Sequence, residues 1–417
     1  MAKSVGKEIN VSVIIPTYNA GADFRFLLGS LWDQKEIDNL EIVVVDSGSN
    51  DGTVEMAREC GANVIEIPHV KFSHSYSRNL GAEKACGDYI LFMVQDALPE
   101  NEFWVRNMVE PISDGVNISA VTCVEYPRED ADLFARIVIS NQIQWLDVKK
   151  KNRIMSLPEE IPEGQTYEYV IRQNGCLNDV ACAYRRNIFM QYKYRLDYAE
   201  DLDMGKRLIE DGHRLMLLGM TVVRHSHNRS AMYYLRRMLV ERKVFGEILD
   251  DYEKVILTEN EFLLGSVWLY DKVMSWISEI TRLPLLWSKF AILDAIKGIL
   301  SLDGGFLRVR KLKIQSEREL TELVNEIRGC AESIDPSDYS AAKEKIYAYY
   351  KGKVDGMIGF LWNNNSEAVT LEELIEICEA MYSFYGNTIG MLWGDLENKT
   401  SKTQRLQEIF ENLSKGI

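Results

Sequence analysis

Short apolar runs alternate with amphipathic segments through the first 230 residues, and this alternation constrains the fold more than any other feature. Runs of about four to eight apolar residues are typical of buried strands. A repeat of strand, helix and strand predicts a mostly parallel sheet with helices on both faces, so we expect a Rossmann-like α/β domain. The predicted strands are residues 11–16, 42–46, 64–67, 89–94 and 118–124.

The pattern changes near Ser230, where glycine becomes sparse and apolar residues recur every three or four positions. This spacing predicts an all-helical C-terminal domain, so the predicted domains are residues 1–235 and 236–417. Residues 149–175, with three lysines and two prolines, are expected to form an exposed excursion that either closes over a substrate or is a plain surface loop.

The helical half contains an aromatic, apolar zone at residues 262–270, Trp276 and residues 283–287. We expect it to pack in the core, with peripheral membrane contact or a homodimer interface as the alternatives. The basic stretch 308–313 is expected to be a solvated helix face, with contact to anionic lipid headgroups as the alternative.

Composition excludes several classes of protein. A net charge of -15 over 417 residues does not suit a nucleic-acid binder. The chain has no run of about 18 apolar residues, so no transmembrane helix is predicted. Its N-terminus is polar, so no signal peptide is predicted. The cysteines form no Cys-x-x-Cys pair and predict neither a disulfide framework nor a zinc site, which favours a reducing cytoplasm. They are Cys60, Cys86, Cys123, Cys176, Cys182, Cys330 and Cys378.

Polar side chains follow three of the predicted strands. The run 89–94 ends at Gln95 and Asp96, and carboxylates at the carboxyl edge of an α/β sheet are suited to holding a metal against a diphosphate. The first strand ends in Pro16, Thr17, Tyr18 and Asn19, and the second in Asp46, Ser47 and Gly48. Asp46 either accepts the imide N–H of a pyrimidine or caps the turn that follows it.

Arg78 and Asn79 fall on a predicted helix between the third and fourth strands. Arginine suits bidentate recognition of phosphate, so Arg78 is expected to contact either a phosphate or a nearby carboxylate. We expect His74 to pack or cap locally, and we assign no chemistry to His69 or His213.

Two further clusters carry chemistry. Glu200 and Asp201 begin a predicted helix, where neighbouring side chains diverge by about a hundred degrees, so one carboxylate at most is expected to face a reacting group. His225 and His227 end a strand-like run with one residue between them, which places both on one face. Asp96 and one of these histidines, either His225 or His227, are predicted to bind Mn²⁺ or Mg²⁺.

Together these motifs resemble the inverting glycosyltransferases of family 2 with the GT-A fold, and specifically their rhamnosyltransferase-like branch. The resemblance covers roughly residues 10–230. The motifs that carry it are Val-Ile-Ile-Pro-Thr-Tyr-Asn, Asp-Ser-Gly-Ser-x-Asp-Gly-Thr, Phe-Ser-His with Ser-Arg-Asn-Leu-Gly, Gln-Asp-Ala-Leu-Pro, Glu-Asp and His-Ser-His-Asn.

The resemblance implies a nucleotide-diphospho-sugar donor, with its base near Thr17, Tyr18 and Asp46 and its diphosphate bridged by a metal at Asp96. It also implies that Asp201 is the general base for an acceptor hydroxyl and that His225 assists at the metal. The usual Asp-x-Asp motif is here Val94-Gln95-Asp96, so the first carboxylate is absent and the histidines gain importance as ligands.

The resemblance further implies transfer of L-rhamnose from dTDP-rhamnose to a glycan or lipid-linked saccharide in bacterial polysaccharide biosynthesis. The expected location of the reaction is the cytoplasm, at the inner face of the plasma membrane where the acceptor is lipid-linked. The alternatives are a transferase of the same fold that uses another UDP- or dTDP-sugar, and a non-catalytic nucleotide-sugar-binding scaffold subunit. Retention of Glu200, Asp201, His225 and His227 favours the enzyme.

Overall fold

A computed structural model describes residues 8–113, 117–148, 150–249, 257–300, 317–332, 334, 340–363, 368–397 and 404–414. The chain divides into two compact units. The first comprises Met1–Glu129 and Ile139–Ser226, and the second comprises Asp130–Val138 and His227–Ile417. The second unit therefore includes a short segment from within the N-terminal half as well as the C-terminal half.

A single twisted sheet organises the first unit. Its path is β3-β2-β1-β4-β8-β6-β9-β5, and β7 pairs with β9 off this path. The strands are β1 (Asn10–Thr17), β2 (Asn39–Asp46), β3 (Asn63–Glu66), β4 (Tyr89–Met93), β5 (Leu98–Pro99), β6 (Ile118–Tyr126), β7 (Arg153–Met155), β8 (Ala181–Arg185) and β9 (Arg214–Arg224).

The sheet is parallel from β3 to β4 and mixed beyond it. β1 pairs in parallel with β2 and with β4, and β2 with β3. β8 then inserts antiparallel between β4 and β6, while β6 and β9 are parallel. The five predicted strands match β1, β2, β3, β4 and β6, and the α/β fold class is confirmed, with a mixed second half that the expected parallel repeat did not include.

Helices cover both faces of this sheet. Side chains of Val13 and Ile15 share a core with α1 and α4, whereas Gly81 of α3 lies against Ile14 and Val45 on the opposite face. The helices that lie within this unit are α1 (Phe24–Trp32), α2 (Thr53–Glu59), α3 (His74–Lys84), α4 (Trp104–Ser113), α6 (Tyr167–Asn174), α7 (Arg186–Tyr192) and α8 (Glu200–Glu210).

The predicted surface excursion at residues 149–175 is partly ordered into the sheet. β7 pairs with β9, with Ile154 opposite Met216, and α6 follows with Thr166 as its N-cap. The segment lacks a long apolar run because β7 is a short edge strand, and its pairing depends on a distant part of the chain.

The second unit is helical, as predicted. Its helices are α9 (Ala231–Ile248), α10 (Glu259–Ile280), α11 (Lys289–Ile299), α12 (Glu317–Ala331), α13 (Ser340–Trp362), α14 (Leu371–Glu397) and α15 (Gln404–Ser414), and the first residues of α5 (Leu133–Trp145) join them. Phe262, Tyr270 and Trp276 are buried in its core, as expected for the aromatic zone.

The turn before α11 departs from that expectation, because Leu286 is 98% exposed and Leu285 and Trp287 are also exposed. Among the described residues, no helix combines the length and the apolar character needed to cross a membrane. The basic stretch 308–313 lies outside the described residues.

Helices α9 and α14 approach each other closely. Gly386, Gly390 and Gly394 of α14 recur every four residues and face the backbone carbonyls of Ala231, Leu235 and Leu239 of α9. A Cβ on Gly390 would lie 2.1 Å from the carbonyl oxygen of Leu235. The Arg242 guanidinium completes the contact with two 2.8 Å hydrogen bonds to the buried Asp395 carboxylate.

Candidate active site

The carboxyl ends of β2, β1 and β4 meet at one edge of the sheet, because these three strands are adjacent and parallel. This edge is where open α/β sheets bind ligands. It brings together three of the sequence-predicted groups: Thr17 to Asn19 after β1, Asp46 to Gly48 after β2, and Gln95 with Asp96 after β4.

The Asp46 carboxylate organises the first two of these loops. Its Oδ1 accepts hydrogen bonds from the backbone N–H groups of Gly48 and Ser49, both at 2.9 Å. Its Oδ2 accepts from the hydroxyls of Thr17 (2.8 Å) and Ser49 (2.5 Å). Asp46 is buried, and these four donors already occupy its oxygens. It therefore has the geometry of a residue that caps the following turn, the second of the two roles expected for it.

The loops are also bound to each other. The Ser47 hydroxyl donates to the Thr17 carbonyl, and the Asn50 N–H donates to the Asn19 side chain at 2.9 Å. Asn19 has a left-handed φ of 47° and Gly48 a φ of 91°, which only glycine and a few polar residues adopt readily. Pro16 is the penultimate residue of β1, and its ring restricts the backbone conformation just before this loop.

Tyr18 presents an exposed aromatic ring at this edge. The Gln95 side chain holds its backbone from both sides, since Oε1 accepts from the Tyr18 N–H at 2.9 Å and Nε2 donates to the Tyr18 carbonyl at 3.3 Å. The ring stacks on the imidazole of His69, with centroids 4.7 Å apart. The sequence assigns no chemistry to His69, and only its position after a strand indicates that it lies at this edge.

Asp96 and His225 lie together, as predicted for the metal site. The short β5 pairs with β9, with Leu98 opposite Arg224, and this pairing aligns the residues after β4 with the end of β9. His225 Nε2 is 3.5 Å from Asp96 Oδ1. One ligand atom from each of Asp96, His225 and His227 lies within 4.8 Å of the others, a donor set of one carboxylate and two imidazoles that suits a divalent transition metal.

Glu125, at the end of β6, orients His225 and was not predicted from the sequence. His225 Nδ1 is 2.8 Å from Glu125 Oε1, and the Asn178 amide donates to Glu125 Oε2 at 3.0 Å. Burial opposes protonation of His225, but hydrogen bonds to Asp96 and Glu125 outweigh it and raise its pKa to about 9. Because a cation binds the neutral imidazole, metal and proton compete for Nε2.

The second carboxylate cluster lies at the start of α8. Glu200 is buried and its Oε1 is 2.6 Å from Arg78 Nη1, while Asp179 Oδ2 is 3.3 Å from the same nitrogen. Burial opposes the charge on Arg78, but Asp179 and Glu200 outweigh it and raise the pKa of the guanidinium. Arg78 therefore meets carboxylates, the second of the two partners expected for it, and is 2% exposed.

Asp201 is less buried than Glu200 and points elsewhere, as expected for neighbouring helical residues. Its Oδ1 accepts from the Leu202 N–H at 2.7 Å. Burial raises the pKa of Asp201 well above the ordinary carboxyl range, and the neighbouring Asp179 raises it further. Ala199, which precedes the pair, has a strained left-handed φ of 53°.

Asn178 and Asp179 connect the two clusters. The Val94 N–H donates to the Val180 carbonyl, so the segment before β8 runs beside the segment after β4. Asn178 holds Glu125 of the Asp96–His225 cluster, and Asp179 pairs with Arg78 of the Glu200 cluster. Neither residue was predicted, because an antiparallel β8 between β4 and β6 has no local signal in the sequence.

Asn79 does not reach the carboxyl edge of the sheet. Its side chain brackets the backbone of Tyr194, accepting from the Tyr194 N–H at 3.1 Å and donating to the Tyr194 carbonyl at 2.9 Å. The Tyr194 hydroxyl in turn donates to Asp179 Oδ1 at 2.5 Å. Asn79 thus supports the Arg78 cluster indirectly, through Tyr194 and Asp179.

Part of this chain is similar in sequence to known proteins. Residues 12–189 match the sequence model of Glycosyl transferase family 2. The chain is 29% identical over 225 residues to the O-antigen chain rhamnosyltransferase RfbN of Salmonella typhimurium, an alignment that covers 53% of this chain and 67% of RfbN. It is also 29% identical to the O-antigen chain rhamnosyltransferase WbaN of Salmonella anatum, covering 52% of this chain and 66% of WbaN.

Among solved structures, the mannosyltransferase PcManGT of Pyrobaculum calidifontis, in complex with GDP-Man and Mn²⁺, superposes with a TM-score of 0.45 at 20% identity. The match covers 59% of this chain and 66% of the mannosyltransferase. The family assignment rests on the sequence match, which runs from β1 into α7 and includes the carboxyl ends of β1, β2 and β4. Residues 12–189 therefore form a glycosyl transferase family 2 domain.

Proposed function

We propose that the protein is a metal-assisted inverting glycosyltransferase that moves L-rhamnose from dTDP-rhamnose to a hydroxyl of a glycan or lipid-linked saccharide. One observation carries the proposal: Asn178 and Asp179 link the Asp96–His225 cluster at the donor edge to the Arg78–Glu200 cluster beside Asp201. Inverting transfer needs a cation site for the leaving diphosphate and a separate carboxylate for the attacking hydroxyl.

The donor base is assigned to the exposed ring of Tyr18 and its stack with His69, since a flat aromatic surface suits a pyrimidine. Thr17, Asn19, Ser47 and Gly48 shape this part of the site. Asp46 contributes by holding both loops, and direct contact with the imide N–H requires it to release Ser49.

The cation is assigned to Asp96 and His225, with His227 as a third ligand. When bound, a divalent cation neutralises charge on the departing diphosphate. Glu125 holds the imidazole of His225 in one orientation from its other nitrogen, an arrangement typical of histidines that bind metals. Gln95, in place of the first carboxylate of an Asp-x-Asp motif, supports the donor edge by holding Tyr18.

Asp201 is assigned as the general base that takes the proton of the acceptor hydroxyl. Its raised pKa suits this role, because a base works best with a pKa near the working pH. Glu200 is a positioning residue, since its pair with Arg78 holds the first turn of α8.

The sugar and the acceptor are supported by the two O-antigen rhamnosyltransferases. The exposed turn at Leu285, Leu286 and Trp287 supports peripheral contact with a bilayer that carries the acceptor, because tryptophan and leucine favour the membrane interface. We accordingly place the reaction at the cytoplasmic face of the membrane.

A non-catalytic nucleotide-sugar-binding scaffold is the second candidate, and Gln95 in place of a carboxylate favours it. A scaffold has no need for a strained Ala199 ahead of a half-buried carboxylate, which favours the enzyme.

Thermal unfolding in the presence of nucleotides tests the proposal. We expect dTDP and dTDP-rhamnose to raise Tm with Mn²⁺ or Mg²⁺ more than without, and GDP-sugars to have no effect. Asp96→Ala should remove the metal-dependent part, while the exposed Asp33→Asn should keep it. No shift with any nucleotide sugar would contradict the donor assignment.

A further inference from the structure

A small cavity of about 20 Å³ lies within the first unit, between β6, β9 and the last turn of α5. It has room for about one group of the size of a water molecule. The aliphatic and thiol side chains of its wall include Val124, Ile143, Leu146, Val148, Cys176 and Leu217. Burial, and less strongly the carboxylate of Asp201, raises the pKa of Cys176 to about 12, so this part of the wall is uncharged.

The polar groups of the wall are already bonded to one another. The Thr122 hydroxyl donates to the Ala181 carbonyl and accepts from the Asn178 N–H, both at 3.3 Å. The Asn178 amide donates to Glu125 Oε2 at 3.0 Å. Gln142, the remaining amide of the wall, is half-buried and can bond to solvent. A buried water needs two to four polar partners, so the cavity suits a small apolar group better than a water.

The cavity lies beside both halves of the site described above. Its wall residue Glu125 has Oε1 2.8 Å from His225 Nδ1, and so belongs to the Asp96–His225 cluster. Its wall residue Cys176 is close enough to Asp201 to interact with it electrostatically. The proposed function places the leaving diphosphate at that cluster and the attacking hydroxyl at Asp201. The transferred sugar ring must lie between the two, and the cavity borders this position.

We propose that the cavity receives the methyl group of a 6-deoxyhexose donor and excludes the hydroxymethyl group of an ordinary hexose. The proposal rests on the proposed function and adds the feature that selects the sugar. A hydroxyl added to this methyl would need space beyond one group and would leave water for an apolar wall. A difference of one such group in an apolar pocket changes specificity by about 10–200-fold.

Calorimetry on the full chain with Mn²⁺ tests the proposal, with dTDP, dTDP-L-rhamnose and dTDP-L-mannose as probes. L-Mannose differs from L-rhamnose only by a hydroxyl on its sixth carbon, so the two donors form a matched pair. We expect dTDP-L-mannose to bind about 10–200-fold more weakly than dTDP-L-rhamnose.

Two variants change the size of the cavity in opposite directions. Leu217→Ala enlarges it and should bring the affinities for the two sugars together. Leu218→Ala is the matched control, since Leu218 is equally buried on the same strand but lies outside the wall, and it should keep the preference for rhamnose. Cys176→Leu fills the cavity from a loop and should weaken binding of dTDP-L-rhamnose while binding of dTDP itself is retained.

Equal or tighter binding of dTDP-L-mannose by the wild type would overturn the proposal, as would an unchanged preference in both Leu217→Ala and Cys176→Leu. In these cases dTDP still binds, and the proposed donor site stands. Failure of dTDP and of both sugars to bind would instead contradict the proposed function.

Discussion

Arg78 Nη1 and Glu200 Oε1 lie 2.6 Å apart in the interior of the α/β unit, although 122 residues separate them in sequence. The pair joins α3 to the first turn of α8, directly before Asp201. Asp179 approaches the same guanidinium, so one cation serves two buried carboxylates. The position of Asp201 thus depends on the contact between Arg78 and Glu200.

Arg78→Ala should lower the free energy of unfolding by about 3–5 kcal/mol, because it leaves buried carboxylates without their cation. Urea unfolding followed by circular dichroism at pH 8 measures the loss. Arg25→Ala is the control, since its pair with Glu59 is exposed on both sides and should contribute far less to stability. Equal losses in the two variants would show that the Arg78 cluster does not stabilise the fold.

Turnover should fall with decreasing pH over a range well above that of an ordinary carboxylate. Burial raises the pKa of Asp201, and only the ionised form accepts a proton. The acid limb of kcat should therefore lie more than one unit above the ordinary value of about 3.9. A pH–rate profile with saturating donor and metal measures this limb, and a limb near pH 4 would contradict the assignment of Asp201 as base.

The same shift makes a prediction for stability. Because the pKa of Asp201 is raised in the folded protein, the folded state favours the protonated carboxyl. The contribution of this group to the free energy of unfolding is therefore fully present below the ordinary pKa of an aspartate, and it is lost as pH rises through the folded-state pKa. Asp201→Asn cannot ionise, so its stability relative to the wild type should increase from pH 5 to pH 8. Urea unfolding at both pH values checks this, and a difference that shrinks over this range would contradict the shift.

Glu125→Gln should weaken Mn²⁺ binding about 10–100-fold, because it removes the carboxylate that orients His225. Titration of Mn²⁺ in the presence of dTDP, followed by electron paramagnetic resonance, measures the affinity. Glu55→Gln, an exposed change in the first turn of α2, is the control and should bind as the wild type does. Unchanged affinity in Glu125→Gln would argue against His225 as a ligand.

Gly390→Ala should destabilise the helical unit by about 1–3 kcal/mol, because its Cβ would meet the Leu235 carbonyl at 2.1 Å and force α9 and α14 apart. Gly359→Ala in α13 has nothing within 4 Å and should be neutral or stabilising by about 0.4–1 kcal/mol. Thermal unfolding of the two variants measures the difference. Similar Tm values would show that the close approach contributes little.

The sequence predicts which polar residues gather at the carboxyl edge of the sheet, because local patterns determine their positions. Apolar runs mark β1, β2 and β4, and polar residues directly after them must gather at one edge once the strands are parallel. These are the parts of the site that lie at strand ends with strong patterns on either side. The proximity of Asp96 to His225 also requires the pairing of β5 with β9, which no local pattern predicts.

The site residues that the sequence does not predict reach the site through contacts between distant parts of the chain. Glu125 and Asp179 reach the site only because β8 inserts antiparallel beside β4 and β6, a non-local pairing without a periodic signal. His69 joins through a stack with Tyr18 that depends on how the loop after β3 folds back. The internal hydrogen bonds of Asp46 are likewise visible only in three dimensions.

The most direct test of the central claim is turnover by Asp201→Asn with donor binding measured on the same sample. We expect dTDP-rhamnose to bind with unchanged affinity by calorimetry in the presence of Mn²⁺. Release of dTDP in the presence of acceptor should fall by about 10²–10⁴-fold, because the acceptor hydroxyl has lost its base. Turnover equal to that of the wild type would contradict the account, even if the donor site stands.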